Sequence, residues 1–96
     1  WGLAMGLSAE GTALAAQGKP ADALAPLAQA ALVYHDLGLV GDAYAVQRTL
    51  ATALVAAQRP ERAKAALARA IELADLLGDA NGRKALDEQL AQLAAK

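Results

Sequence analysis

The sequence contains no cysteine and no phenylalanine, and aromatic residues make up only 3% of its 96 positions. Without cysteine, the chain has no disulfide, no thiolate zinc site and no cysteine nucleophile. The scarcity of aromatic and β-branched residues argues against a β-sheet, because strands favour these side chains. No run reaches the roughly 18 uncharged apolar residues that a membrane span requires, and no basic segment precedes an apolar run as in a signal peptide.

Alanine and leucine fill the chain instead, with 28 and 17 positions, together 45 of 96. Both are strong helix formers, and alanine loses no side-chain entropy in a helix. A chain of this length holds one domain. The composition therefore predicts a single all-α domain over residues 1–96. Because the first residue is Trp1 rather than methionine, we expect this domain to be part of a larger protein.

A 40-residue repeat runs through the sequence. Shifting the chain by 40 residues superposes the triplet Thr-Ala-Leu at 12–14 on the same triplet at 52–54. The pair Leu-Gly at 37–38 likewise recurs at 77–78. The pattern predicts a first repeat over residues 1–40, a second over 41–80, and a C-terminal capping helix over 82–95.

Glycine and proline divide each repeat into two helices. A left-handed glycine often ends a helix, and proline suits the first position of the next one. Gly18 fits this role and a proline follows it, whereas Gly38 and Gly78 end the second helix of each pair. Turn and cap residues follow at 41–42 and 79–82. The predicted helices span residues 3–17, 20–37, 42–57, 60–77 and 82–95.

Apolar residues at steps of three and four mark the buried face of the second and fourth helices. Many of them are alanine, which lets neighbouring backbones approach closely. Pro26 lies inside the second helix and removes one backbone hydrogen bond, so we expect a kink near Asp22 or a frayed first turn. The predicted buried stripes are Ala23, Leu27, Ala30, Tyr34 and Leu37 in the second helix, and Ala63, Leu67, Ala70, Ala74 and Leu77 in the fourth.

This pattern resembles the tetratricopeptide family of helix–turn–helix repeats, in a longer variant with a 40-residue period. In that family the second helix of a repeat follows a glycine and carries an alanine, a large apolar residue and another alanine. A small residue lies where the two helices cross, here Gly11 and Ala51. The resemblance implies five helices in antiparallel pairs, stacked as a right-handed superhelix, or α-solenoid. The second-helix positions that match are Gly18, Ala23, Leu27 and Ala30, then Gln58 (in place of glycine), Ala63, Leu67 and Ala70.

No catalytic or metal-binding constellation is visible in the sequence. The only histidine, His35, has an aspartate beside it, but adjacent helical residues point about 100° apart. A metal site needs several converging ligands. Glu72, Asp75 and Asp79 share one helix face without the Glu-x-x-His motif of di-iron bundles, so we expect a solvated acidic edge in which Arg69 pairs with Glu72. The sequence thus predicts a protein that is not an enzyme and binds no cofactor or metal.

The charge pattern argues against nucleic-acid binding. The first 47 residues carry one positive and four negative side chains, and the rest carry eight positive and six negative. A nucleic-acid surface shows a strong basic excess with stacking aromatics. Here the only cluster of basic residues includes the acidic residue Glu61, which lowers its net positive charge. The cluster consists of Arg59, Arg62, Lys64 and Arg69.

A scaffold that binds a protein or peptide partner is the predicted function. The resemblance places the first helix of each repeat along a concave groove, and the partner binds there. The groove surface is mildly polar, with one cation and one carboxylate, and lacks the Lys/Asn/Arg clamp of chaperone adaptors. The implied binding residues are Met5, Ser8, Thr12, Arg48, Thr49, Thr52, Val55, Glu88, Gln89 and Gln92.

Two alternatives remain open. Apolar residues at the two ends of the domain predict self-association by stacking between chains. Alternatively, the domain is an effector-sensing, regulatory segment of a larger bacterial signalling or transcription protein. In each case we expect a cytoplasmic location, with neither a nucleic acid nor a membrane as partner. The end residues are Trp1, Leu3 and Met5 on one side and Leu90 and Leu93 on the other.

Overall fold

The computed structural model describes residues 2–95, and these residues form five α-helices and no strand. The predicted all-α class and the number of helices are confirmed for this part of the chain. Trp1, one of the residues predicted to mediate self-association, lies outside the described residues. The helices are α1 (Gly2–Ala16), α2 (Pro20–Asp36), α3 (Val40–Ala56), α4 (Pro60–Leu77) and α5 (Ala80–Ala94).

The four turns between the helices share one geometry, spaced every 20 residues. Each contains a residue with positive φ, at 77° for Gly18, 73° for Gly38, 61° for Gln58 and 72° for Gly78. In each turn the residue after the one with positive φ donates its backbone N–H to the carbonyl five residues earlier, as from Lys19 to Leu14 at 2.9 Å. This hydrogen bond satisfies a carbonyl at the end of the helix that has no partner within the helix. The remaining bonds of this kind run from Leu39 to Tyr34, Arg59 to Leu54 and Asp79 to Ala74.

The helices pack in chain order. Each helix contacts the next one, and α1 also contacts α3. The Cα atoms extend over 36 × 30 × 17 Å. Because packed helix axes lie roughly 8–10 Å apart, the shortest extent fits two layers of helices.

The core combines alanines with a few leucines, as the stripes predicted. Ala23 and Ala63 are fully buried at corresponding positions of α2 and α4, and so are Ala30 and Ala70. Leu27, between the alanines of α2, is also fully buried. Burying a leucine side chain stabilises the fold by about 1.5–3 kcal/mol, whereas alanine mainly permits the close approach of the helices.

The predicted stripes extend one residue too far. Leu37 is 50% exposed and Leu77 is 45% exposed, because α2 and α4 end there and no neighbouring element covers these side chains. The opposite error concerns Leu90 and Leu93. Both were assigned to an exposed end by the self-association hypothesis, but both are half-buried and pack against the core.

Two predicted helix starts are wrong by two residues, and the other bounds agree to within one residue. α3 begins at Val40 and α5 at Ala80, rather than at residues 42 and 82. The prediction placed Gly41 and Gly82 in turns, but both lie in the first turn of a helix. The preceding left-handed glycines already reverse the chain, so neither Gly41 nor Gly82 is needed for the reversal itself.

Helix α2 continues through Pro26 without interruption. Its first turn is formed, and the N–H of Ala23 donates to the carbonyl of Lys19 at 3.2 Å, so the predicted fraying is wrong. Proline at position 26 deprives only the Asp22 carbonyl of its helical donor. The kink near Asp22 stays a prediction.

Candidate functional site

Four of the residues predicted to bind a partner lie together in a groove between α3 and α5. Thr52 and Val55 come from α3, and Gln89 and Gln92 come from α5. The groove has a volume of about 600 Å³, which is within the range of ligand-binding clefts. We call it the α3–α5 groove, and its remaining lining residues are Ala51, Ala56, Leu67, Leu93 and Ala95.

Thr49 belongs to a neighbouring depression of about 440 Å³ between the end of α1 and α3, where Thr52 also lies. Its other lining residues include Ala15 and Pro20. The remaining predicted residues line neither space. Of these, Ser8 is half-buried and the others are exposed, namely Met5, Thr12, Arg48 and Glu88.

The hydroxyl groups of both threonines of α3 are bonded within the helix, so Thr52 makes the groove wall less polar than its side chain suggests. The Thr52 hydroxyl donates to the carbonyl of Arg48 at 3.1 Å, and the Thr49 hydroxyl donates to the carbonyl of Ala45 at 3.1 Å. Such bonds to the preceding helical turn use the hydroxyl donor. Thr52 therefore has no hydroxyl proton left for a ligand, and the groove's side-chain donors are the amides of Gln89 and Gln92.

A hydrogen bond between a tyrosine and an aspartate connects the α4–α5 turn to α3. The Tyr44 hydroxyl donates to Asp79 Oδ2 at 2.9 Å, and Asp79 Oδ1 accepts from the backbone N–H of Gly82 at 3.0 Å. A Cβ atom at Gly82 would collide with both Asp79 Oδ2 and the Tyr44 hydroxyl. The glycine thus leaves the space that this network occupies, and the network connects the start of α5, one wall of the groove, to α3.

Burial, hydrogen bonds and nearby charge shift the pKa values of both ionisable side chains in this network. Burial first, and then the hydrogen bond to Asp79, raises the pKa of the Tyr44 hydroxyl above its ordinary 10.0. The backbone N–H of Gly82 first, and then the Tyr44 hydroxyl, lowers the pKa of Asp79 below its ordinary 3.8. The Arg48 guanidinium, 5.4 Å above the Tyr44 ring, interacts with the ring face, so this predicted binding residue already has an intramolecular partner.

Each carboxylate of the predicted acidic edge has its own partner. Arg69 pairs with Glu72 at 3.7 Å, which confirms that prediction. Arg83 contacts both oxygens of Asp75, at 2.6 and 2.7 Å, and this interaction is the main cause that raises the pKa of Arg83. Within residues 2–95, no group of three or more His, Asp or Glu side chains could hold a metal ion. The edge therefore links α4 to α5 by polar contacts.

The only histidine takes part in a contact that the sequence analysis missed. Arg69 Nη2 lies 3.1 Å from His35 Nδ1, across from α4 to α2. Both residues line a pocket of about 330 Å³ that also includes Gln47 from α3. Because these residues come from three helices and are unrelated by the 40-residue repeat, no pattern in the sequence could have brought them together.

None of the helices described between Gly2 and Ala94 combines the length and the apolar character needed to cross a bilayer. Comparison of the chain with protein-family models, with curated proteins and with solved structures gives no match. The resemblance to the tetratricopeptide family therefore stays a prediction from the residues quoted above.

Proposed function

We propose that the chain is a non-enzymatic, tetratricopeptide-like scaffold that binds an extended peptide segment of a protein partner in the α3–α5 groove. The observation that carries this proposal is the convergence in one groove of Thr52, Val55, Gln89 and Gln92, which were selected from the sequence for that role. A solenoid-like arrangement is supported by the identical turns every 20 residues and by the packing of helices in chain order.

The chemistry of the groove favours an uncharged segment with one apolar side chain. Leu67, Leu93 and the alanines provide an apolar floor, and burial of apolar area supplies most of the affinity. The amides of Gln89 and Gln92 offer both donors and acceptors, which match the N–H and C=O groups of an extended backbone. Among residues 2–95, no charged residue lines the groove, so an acidic or basic side chain would lose hydration there without a partner from this part of the chain.

The test uses a random peptide library selected on the wild-type chain, followed by calorimetry with one selected peptide. Thr52→Arg fills the groove with a charged side chain, and we expect at least tenfold weaker binding. Combining Thr52→Arg with Arg48→Glu tests whether the adjacent rim contributes further. Thr12→Arg is the matched control, because Thr12 is exposed at the corresponding position of α1 and outside the groove.

Unchanged binding to Thr52→Arg would remove the groove as the site. Equal losses for Thr12→Arg and Thr52→Arg would instead show that the partner extends along the whole predicted concave face. Circular dichroism and urea unfolding of each variant establish that a loss of binding is not a loss of fold.

Self-association is a second candidate, favoured by the apolar surface of α1. Leu3 is 68% exposed and Met5 is 47% exposed. Both lie in α1, which carries only three polar side chains. Burying such residues between two copies would be favourable. Light scattering over a range of concentrations tests this, with Leu3→Asp against the control Leu76→Asp on α4. A monomer at every concentration would rule out self-association.

A further inference from the structure

The pocket between α2, α3 and α4 brings three polar side chains to a floor of alanines. His35 comes from α2, Gln47 from α3 and Arg69 from α4. The space of about 330 Å³ exists because the residues beneath it are small. We call it the His35 pocket, and its other lining residues are Ala28, Ala31, Leu32, Ala43, Leu50 and Leu73.

Two polar side chains of this pocket have hydrogen-bonding capacity that no contact within the described residues satisfies. Gln47 Oε1 is buried and has no hydrogen-bond donor among the described residues. A buried acceptor without a partner costs free energy, so a ligand that donates to it gains that amount back. Arg69 has five N–H donors and contacts His35 at 3.1 Å through one of its terminal nitrogens, whereas its ion pair with Glu72 is long, at 3.7 Å. Donors of the guanidinium therefore remain for an anion.

We propose that the His35 pocket binds a small carboxylate with an apolar body and one N–H or O–H donor. The carboxylate pairs with the guanidinium of Arg69, a planar fork that matches the two carboxylate oxygens. The donor pairs with Gln47 Oε1 after the amide, which is buried in the free protein, turns towards the pocket, and the apolar body lies on the alanines and Leu73. His35, already against the guanidinium, restricts the orientation of Arg69.

The local charge favours a monoanion over a phosphate group. Within residues 2–95, Arg69 is the only arginine or lysine that lines the pocket, and Glu72 pairs with it at 3.7 Å. A phosphate dianion would place two negative charges beside Glu72 and a single guanidinium, whereas a carboxylate places only one and is repelled less. The carboxylate can belong to a free small molecule or to the C-terminus of a peptide, since both present the same group.

The test is an NMR titration with N-acetyl-leucine, which carries a carboxylate, an amide N–H and an isobutyl chain. We expect saturable shifts of the Gln47 side-chain amide and the Arg69 Nε–H signal at millimolar concentrations. N-acetyl-leucinamide lacks the charge, and 4-methylpentanoate lacks the donor, so each should bind at least five times more weakly. A hexapeptide ending in leucine with a free carboxylate distinguishes the sources, because tighter binding than N-acetyl-leucine indicates a peptide terminus and weaker binding indicates a free acid.

Variants separate this site from a general affinity for anions. Arg69→Gln should weaken binding of N-acetyl-leucine at least tenfold, and Arg59→Gln, at the residue that precedes α4, should leave it unchanged. Glu72→Gln should strengthen binding two- to fivefold, because it removes the competing carboxylate. Urea unfolding confirms that each variant is folded.

Three results would overturn the proposal. These are an absence of shifts at 50 mM N-acetyl-leucine, equal binding of the acid and its amide, and full binding to Arg69→Gln. Thr52→Arg, which blocks the α3–α5 groove, should leave N-acetyl-leucine binding intact. Failure of the carboxylate site and failure of the peptide groove are therefore separate outcomes.

Discussion

Replacement of Gly11 by alanine tests the close packing of α1 against α2. Gly11 of α1 is buried, and a Cβ atom at this position would lie 2.5 Å from Leu27 Cγ, 2.7 Å from Leu27 Cδ2 and 3.3 Å from the Ala23 carbonyl oxygen. Leu27 is 0% exposed and cannot turn away into solvent. The added methyl group must therefore push α1 and α2 apart or force Leu27 into an unfavourable rotamer.

Two opposing effects set the expected magnitude. Alanine is favoured over glycine inside a helix by about 1 kcal/mol, which would stabilise the chain. Overpacking of a filled core costs about 1–3 kcal/mol, and the contacts with Leu27 are short enough for the upper half of that range. We therefore expect Gly11→Ala to lower the free energy of unfolding by about 1–2 kcal/mol. Gly6→Ala in the same helix meets no atom within 4 Å and should raise it by about 0.5–1 kcal/mol.

Urea unfolding followed by circular dichroism measures both changes, and a third variant identifies the cause. Leu27→Ala alone should cost about 2–5 kcal/mol. In the Leu27→Ala background the methyl group at position 11 has room, so Gly11→Ala should become stabilising, with a coupling energy of about 1 kcal/mol or more. If Gly11→Ala stabilises the wild-type chain as much as Gly6→Ala does, the close crossing and the reasoning built on it are refuted.

Three further predictions concern the turns. Gly82→Ala should destabilise the chain by about 1–2 kcal/mol in urea, because the new methyl group displaces the Tyr44 hydroxyl from Asp79. Gln58→Gly should stabilise it by about 0.5–1 kcal/mol, because glycine adopts the observed φ of 61° without strain. The pKa of Asp79 is lower in the folded chain than in the unfolded chain, so the stability that Asp79 contributes is fully present above its ordinary pKa of 3.8. That stability is lost as the pH falls through the folded value. Asp79→Asn should therefore make the free energy of unfolding less dependent on pH below pH 4.

Each of these predictions has a matched control or a contrary outcome. Gly41→Ala lies in the first turn of α3 with nothing within 4 Å, and it should not destabilise the chain as Gly82→Ala does. Gly38→Ala places a side chain at a φ of 73° and should destabilise the fold, the opposite sign to Gln58→Gly. Identical pH dependence of the wild type and Asp79→Asn between pH 2 and 5 would show that Asp79 contributes nothing to acid stability.

The helices and their turns could be predicted because their determinants are local. Gly18, Gly38 and Gly78 mark three of the four turns, and the repeat identifies the fourth at Gln58 although glycine is absent there. A small residue is predicted at position 11, where α1 crosses α2, and a Cβ atom at Gly11 would collide with Leu27. In these cases one backbone requirement selects one residue type, so a single sequence is informative.

Contacts between side chains of distant helices could not be predicted in the same way. Tyr44 and Asp79 are 35 residues apart, and His35 and Arg69 are 34 apart, so neither pair follows the 40-residue spacing. Asp79 could be identified as a cap from its position before α5, but a cap does not specify a second partner. The residues of the α3–α5 groove are implied by the resemblance to the tetratricopeptide family, and the repeat places positions 52 and 92 on corresponding faces of α3 and α5.

The two walls of the α3–α5 groove are held in place by different interactions. Helix α3 buries seven residues, Tyr44 and Leu54 among them, whereas α5 buries only Leu86. The position of α5 consequently depends more on polar contacts, namely the Tyr44–Asp79 hydrogen bond and the Arg83–Asp75 ion pair. Exposed ion pairs contribute little and weaken with salt. For the peptide complex that we propose, we therefore expect α5 to adjust at a smaller free-energy cost than α3, which buries more of its residues.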